Sequence, residues 1–158
     1  MLSSFQPHAL AWGSFATPQQ PQANAWGWKN GEQRSVSLSS YLADTRLVDL
    51  CQQGKLMEVI DTLYAANIVS VEATPMPDGS REMNGIDAVR GKSEWWISEH
   101  EVHSSMAEGP LVADNRFCVR FKYDITNKKS GKRMVLDELA IYTVADGKIA
   151  REEFFYGA

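Results

Sequence analysis

Glu138, Glu152, Glu153, Tyr142, His100 and His103 are the residues whose types and spacing could do chemistry in this chain. Glu138 and Tyr142 lie four apart in a segment of strand character, so parity puts them on one face together with Ala140. On a covered apolar face a glutamate has its charged form desolvated and its pKa raised, which suits a general acid or a base near neutral pH. A tyrosine beside it can orient or polarise a substrate oxygen. The plainer arrangement leaves Glu138 in solvent, or paired with Arg120 or Arg133, and makes Tyr142 ordinary core.

A second carboxylate depends on a turn. Ala145-Asp146-Gly147 joins the segment 132–144 to 148–156 and is a strong hairpin signal. A three-residue loop with Gly147 as a bulge pairs Val144 with Lys148, which brings Glu152 to the face of Glu138. A two-residue Asp146-Gly147 turn pairs Ala145 with Lys148 and brings Glu153 there instead. The three-residue loop is expected, because it also turns Phe154 and Tyr156 inward. Two carboxylates in one dry site would push each other's pKa apart, as acid/base pairs do.

The histidines offer less. His100-Glu-Val-His103 superficially resembles a zinc motif, but its histidines are three apart and straddle a helix–strand break, so no metal is expected. His103 is kept as a candidate base, with a surface or capping role as the alternative. No phosphate loop, no Gly-x-Ser-x-Gly elbow and no cysteine with a base pattern is visible, so nucleotide binding and nucleophilic catalysis are not expected, nor any cofactor.

The elements that must hold these residues begin near Ser39. A helix with Ala43, Leu47, Leu50 and Cys51 on one face is stopped at Gly54, and a short helix follows with Leu56, Val59, Ile60 and Leu63 at helical spacing. Ile68–Val71 reads as a strand, and a third helix from about Gly85 to Glu99 aligns Ile86, Val89, Ser93, Trp96, Ile97 and His100. Strict alternation marks a strand over Phe117–Ile125. The strand 134–144 carries Met134, Leu136, Ala140, Tyr142 and Val144 on one face and Val135, Leu139 and Ile141 on the other. A sheet apolar on both faces needs two covers. Helices supply one, and a second subunit packed sheet to sheet is expected to supply the other, making a homodimer.

The chain has 158 residues, 44% of them hydrophobic, with a net charge of -4 and no basic stripe, which fits one domain with a real core and excludes nucleic acid or an anionic membrane as partners. Cys51 and Cys118 are read as thiols in a reducing cytoplasm. Neither a membrane-spanning run nor a secretory leader is expected. Residues 1–37, rich in Gln, Pro, Ser and Gly, form an N-terminal extension, either flexible or docked on the domain or a partner by Trp12, Trp26 and Trp28; the domain proper is 38–158.

The order helix, short helix, strand, helix, then four antiparallel strands resembles the nuclear-transport-factor-2-like superfamily, and its SnoaL-like group most closely. The resemblance rests on LVDLCQQGKLMEVIDTLYAANIVSVEA, GIDAVRGKSEWW and DELAIYTVADGKIAREEFFY. It implies an α+β fold, a cone-like curved antiparallel sheet packed on three N-terminal helices around an apolar pocket. Carried onto this chain, the pocket wall would be Trp96, His100, Phe117, Val119, Phe121, Tyr123, Ala140 and Phe154, holding a small apolar or aromatic ligand. Ketosteroid isomerases of this superfamily place a general-base aspartate where Ala73 or Thr74 stands here, and their second acid where Ala140 stands. Both acids are missing, which disfavours that mechanism. Two functions stay open. One is a cofactor-independent isomerase, dehydratase or cyclase using Glu138, Tyr142, Glu152 and His103; the other is a non-catalytic ligand-binding or dimerisation module.

Overall fold

The computed structural model describes residues 38–76 and 78–157, with side chains from residue 43 onward, all within one compact unit. The expected N-terminal extension lies outside the described residues. Helices α1 (Leu38–Gln52) and α2 (Leu56–Leu63) lead directly into β1 (Tyr64–Val71); β2 (Glu82–Asn84) and α3 (Ile86–Glu99) follow, then β3 (His100–Ala113), β4 (Arg116–Asn127), β5 (Arg133–Ala145) and β6 (Lys148–Tyr156). The class is α+β, as expected.

The six strands form one open sheet in the order β2-β1-β6-β5-β4-β3. Every neighbouring pair is antiparallel except β1 and β6, which run parallel. The sheet is therefore mixed, where an antiparallel one was expected. The parallel pair arises because the chain crosses to the far edge through α3 and β3 before returning as β6.

One face of the sheet meets the helices. Val119, Phe117, Phe121 and Ile125 of β4, Ala140, Tyr142 and Val144 of β5, and Ile149 of β6 are buried there. Leu47, Val59, Ile60 and Val89 close the core from the helices, with Leu47 fully inaccessible. Each such side chain contributes about 1.5–3 kcal/mol by leaving water. The opposite face leaves Leu111, Val135, Leu139, Ile141 and Phe155 exposed.

Two local features set the register. In the β5–β6 hairpin, Asp146 (φ 50°) and Gly147 (φ 76°) are both left-handed, and Ala145 pairs with Lys148. This is the two-residue turn, not the expected three-residue loop; two left-handed residues give a twist that matches the flanking strands. A shift then follows, with Val144 opposite Ile149 but Thr143 opposite Arg151. The extra residue, Ala150, returns Glu152 to the position opposite Tyr142. Glu152 thus shares the face of Glu138 through a bulge rather than through the loop.

The second feature is Gly109, in a register shift of β3 between Glu108 and Leu111. Its φ is +134°, and a Cβ there would lie 2.9 Å from the carbonyl oxygen of Cys118. Gly109→Ala should destabilise the fold by about 1–3 kcal/mol, read from urea unfolding. A loss below about 0.5 kcal/mol would show that the backbone relaxes without cost.

Candidate functional site

Parallel pairing of β1 with β6 sets Ser70 beside Glu152, both facing the helices. Glu152 is a charged residue with only 2% of its surface exposed, so it needs partners of its own. Tyr64, at the start of β1, donates its hydroxyl to Glu152 Oε2. Lys92 of α3 reaches down between the strands and donates from Nζ to Glu152 Oε1 at 3.2 Å, to Glu72 Oε1 at 2.7 Å and to Ser70 Oγ at 2.7 Å. The same ammonium sits 4.5 Å from the centre of the Phe154 ring. Burial alone would pull Lys92 down, but Glu152 and Glu72 outweigh it and hold the amine above its ordinary value. It is a fixed cation rather than a nucleophile.

From Glu72 the polar chain continues to the surface. The Tyr156 hydroxyl donates to Glu72 Oε2 at 3.0 Å and lies 3.5 Å from Thr74 Oγ1. Tyr156 is also the cross-strand partner of Glu138. Both line a depression of about 750 Å3, broadly open to solvent, where β6 ends beside the middle of β5. Its other walls include Ala73, Arg81, Arg120, Asp137, Leu139 and Phe155.

Glu138 is the group in this depression with the most altered chemistry. Burial, then the charge of Glu72, pushes its pKa up from 4.5 to about 7; Lys92 works against this and Glu152 with it. Its carboxyl has no hydrogen-bonding partner among the described residues. The carboxyl is thus half protonated near neutrality, faces accessible space, and can give or take a proton. Glu152 lacks that freedom, since Tyr64 and Lys92 hold both its oxygens.

The other nominated residues divide by depth. Tyr142 is buried at 3% exposure and stacks on Phe117 at 4.9 Å between ring centres, and burial followed by the charge of Glu152 raises its pKa well above the ordinary value. It backs the site rather than facing it; Tyr156 holds the exposed tyrosine position. Val119 and Ala140 have no exposed surface and border no space a water could enter, and Phe117 and Phe121 are closed core. These four residues belong to the same core cluster as Leu47, Val59 and Ile60 of the helices. Half-buried Trp96 touches Tyr123 and His100, with ring centres 5.3 and 5.0 Å apart. Phe154 is half-buried under Lys92.

The two histidines bond elsewhere than at the depression. His100 Nδ1 donates to the Trp96 carbonyl at 2.9 Å and so caps α3. His103 is exposed and shares a 2.8 Å hydrogen bond with Thr126 Oγ1. Thr126 alternates with buried Ile125, so His103 lies on the face of the sheet away from Glu138. Among the described residues no group of three His, Cys, Asp or Glu could hold a metal ion.

Sequence reasoning passed over Lys92, Glu72, Tyr64, Ser70 and Tyr156's role at the mouth. Lys92 was within reach, because Val89, Lys92 and Trp96 recur at helical spacing on the face that α3 turns to the sheet.

This geometry, helices on one face of an open mixed sheet, defines a domain of the ketosteroid isomerase-like fold class. The family model described as the SnoaL-like domain matches residues 39–156, and the chain belongs to that family. A solved structure from Mesorhizobium loti, described as a SnoaL-like polyketide cyclase with carbohydrate phosphatase as a second designation, is 38% identical. It superposes with a TM-score of 0.69 over 73% of this chain and 97% of its own. Those two designations name different reactions, so the likeness carries family and fold. A SnoaL-like polyketide cyclase from Jannaschia sp. CCS1 (16% identity, TM-score 0.61, 80% and 91% of the two chains) shares the fold. So does a protein described as an isomerase from Bacillus subtilis (12% identity, TM-score 0.61, 75% and 86%). Among curated proteins none matches significantly.

Proposed function

We propose that this chain is a cofactor-independent acid/base enzyme, an isomerase, dehydratase or cyclase, that moves a proton on a small molecule held where β6 ends beside the middle of β5. The carrying observation is Glu138: raised to about 7, without a hydrogen-bonding partner among the described residues, and lining the open depression. In an isomerisation its carboxylate would take a proton from an activated C–H, and its carboxylic acid would return that proton to another carbon or oxygen of the same substrate. The Tyr156 hydroxyl, its proton held by Glu72, would accept a hydrogen bond from a substrate hydroxyl in the depression that Tyr156 lines, and the Lys92–Glu72 pair behind it fixes the local charge. The test is deuterium incorporation from D2O into a panel of small enolisable carbonyl compounds. Wild-type exchange that Glu138→Gln abolishes supports the proposal; exchange unchanged by that substitution sinks it.

A non-catalytic ligand-holding or dimerisation module is the second reading. It is favoured by the closure of Glu152 and Tyr142, which leaves one available carboxyl where a paired mechanism needs two.

We further propose a homodimer through the outer sheet face, working in a reducing cytoplasm where Cys51 and Cys118 remain the free thiols they are here. Leu111, Val135, Leu139, Ile141 and Phe155 supply the apolar surface. No described helix is long and apolar enough to cross a membrane. Sedimentation should give a dimer at micromolar concentration, and Leu139→Asp with Phe155→Asp should give a monomer. A wild-type monomer under those conditions would remove the interface.

A further inference from the structure

The depression where β6 ends beside the middle of β5 has a second polar wall that proton transfer at Glu138 leaves unused. Arg81 stands there, exposed, just before β2. Its Nε donates to the Glu72 carbonyl oxygen at 2.7 Å, and its own carbonyl accepts from the Glu72 amide at 2.8 Å. The guanidinium is therefore tied at one edge to the strand end that also carries the Glu72 carboxylate. Its terminal nitrogens meet no carboxylate among the described residues.

The other guanidinium of the depression differs. Arg120 is closed by Asp137 through two hydrogen bonds of 2.8 and 2.7 Å, with Glu108 a further 3.6 Å away. Arg120 and Asp137 cancel each other. Lys92 is taken up by two carboxylates, Glu72 and Glu152, which leaves one negative charge in excess behind the depression. What the depression offers a ligand is one unmatched planar fork on one side and Glu138 on the other. A guanidinium fork fits a carboxylate through two parallel hydrogen bonds. A phosphate dianion would press a second negative charge toward Glu138 and the excess charge of Glu72 and Glu152, with one unmatched arginine to offset it. A monoanion matches the fork charge for charge. Ala73 provides apolar surface, and Leu139 and Phe155 form the outer lip.

We propose that this depression binds a small organic monocarboxylate, its carboxylate on Arg81 and the rest of the molecule lying across Ala73 toward Glu138. The direction toward Glu138 rests on the acid/base reading above; the binding itself does not.

The experiment titrates the full chain with benzoate, its neutral isostere benzamide, and inorganic phosphate, following binding by calorimetry or amide NMR shifts. Benzoate should bind at least about tenfold more tightly than benzamide or phosphate, the difference one charge-assisted pair makes. Arg81→Gln should erase that preference with the melting temperature unchanged. Arg81→Lys should keep only part of it, having the charge without the fork. Glu138→Gln should retain benzoate binding even as it abolishes proton exchange, which separates this proposal from the catalytic one. Absence of saturable benzoate binding, equal binding of benzamide, tighter binding of phosphate, or a preference that survives Arg81→Gln would overturn it.

Discussion

Lys92→Met should lower the unfolding free energy by about 3–5 kcal/mol at pH 7. The side chain being removed satisfies Ser70, Glu72 and Glu152 at once. Glu152 is the critical partner, with a side chain 3% exposed and a charge that Lys92 alone offsets among its hydrogen-bonding contacts. Methionine fills similar volume, so the loss measures charge rather than a cavity. Adding Glu152→Gln to Lys92→Met removes the stranded charge and should recover a good part of the stability, so that the pair is far from additive. The pH dependence has a definite sign. The folded-state pKa of Lys92 lies above its ordinary value of 10.5, so its contribution is whole below that value and is lost only as pH climbs through the raised one. Chemical denaturation of wild type beside the two variants from pH 7 to 11 checks both parts: the gap between wild type and Lys92→Met should hold up to the ordinary lysine value of 10.5 and begin to narrow above it. A Lys92→Met cost below about 1 kcal/mol would mean that water, not Lys92, carries the charge of Glu152.

Glu138→Gln should act in opposite directions on stability and activity. Folding raises the Glu138 pKa from 4.5 to about 7, so the folded state holds its proton more tightly than the unfolded chain does. Wild-type stability should therefore be greatest below pH 4.5 as far as this residue is concerned, and should fall as pH rises through 7. The loss amounts to about 1–3 kcal/mol once the partial exposure of the group is allowed for. Glutamine cannot ionise, so the variant should be more stable than wild type at pH 8 by that amount and nearly equal to it near pH 4. Proton exchange on a substrate should meanwhile drop by about 10²–10⁴-fold, the usual worth of a positioned acid or base. Urea midpoints at the two pH values, measured beside exchange rates, test the combination. A residue that served stability alone would not give a variant both firmer and less active.

Much of the fold was legible because its signals are local. Leu47 and Cys51 on α1, Val59 and Ile60 on α2, and the alternation from Phe117 to Ile125 announce their elements through short-range periodicity. β3 was less legible. It is an edge strand with most of its residues exposed, and Gly109-Pro110 interrupts its pattern; pairing with β4 makes it a strand, not its own composition. β1 begins at Tyr64, immediately after α2, where the apolar run had suggested Ile68.

The site was half legible, for a related reason. Strand parity put Glu138 and Tyr142 on one face, and the bulge at Ala150 brought Glu152 to the same face by a route no local rule foresaw. Which of these residues faces open space depends on the packing of the whole core, in which Val119, Ala140 and Tyr142 are buried. The Ser70–Glu152 juxtaposition comes from parallel pairing across most of the chain, which spacing in the sequence does not encode. Glu72 stands one residue before the position where the isomerase comparison sought an acid, and it holds Lys92 and Tyr156 rather than a substrate proton.

The most direct measurement is the titration of the Glu138 carboxyl itself, by carbon-13 NMR of glutamate-labelled protein with Glu138→Gln as the assignment control. A midpoint near 7 is expected, moving further up when Lys92 is replaced, because the opposing positive charge is then gone. A midpoint close to the ordinary 4.5, unmoved by that replacement, would show Glu138 to be a solvated surface carboxylate and would contradict the proposed chemistry.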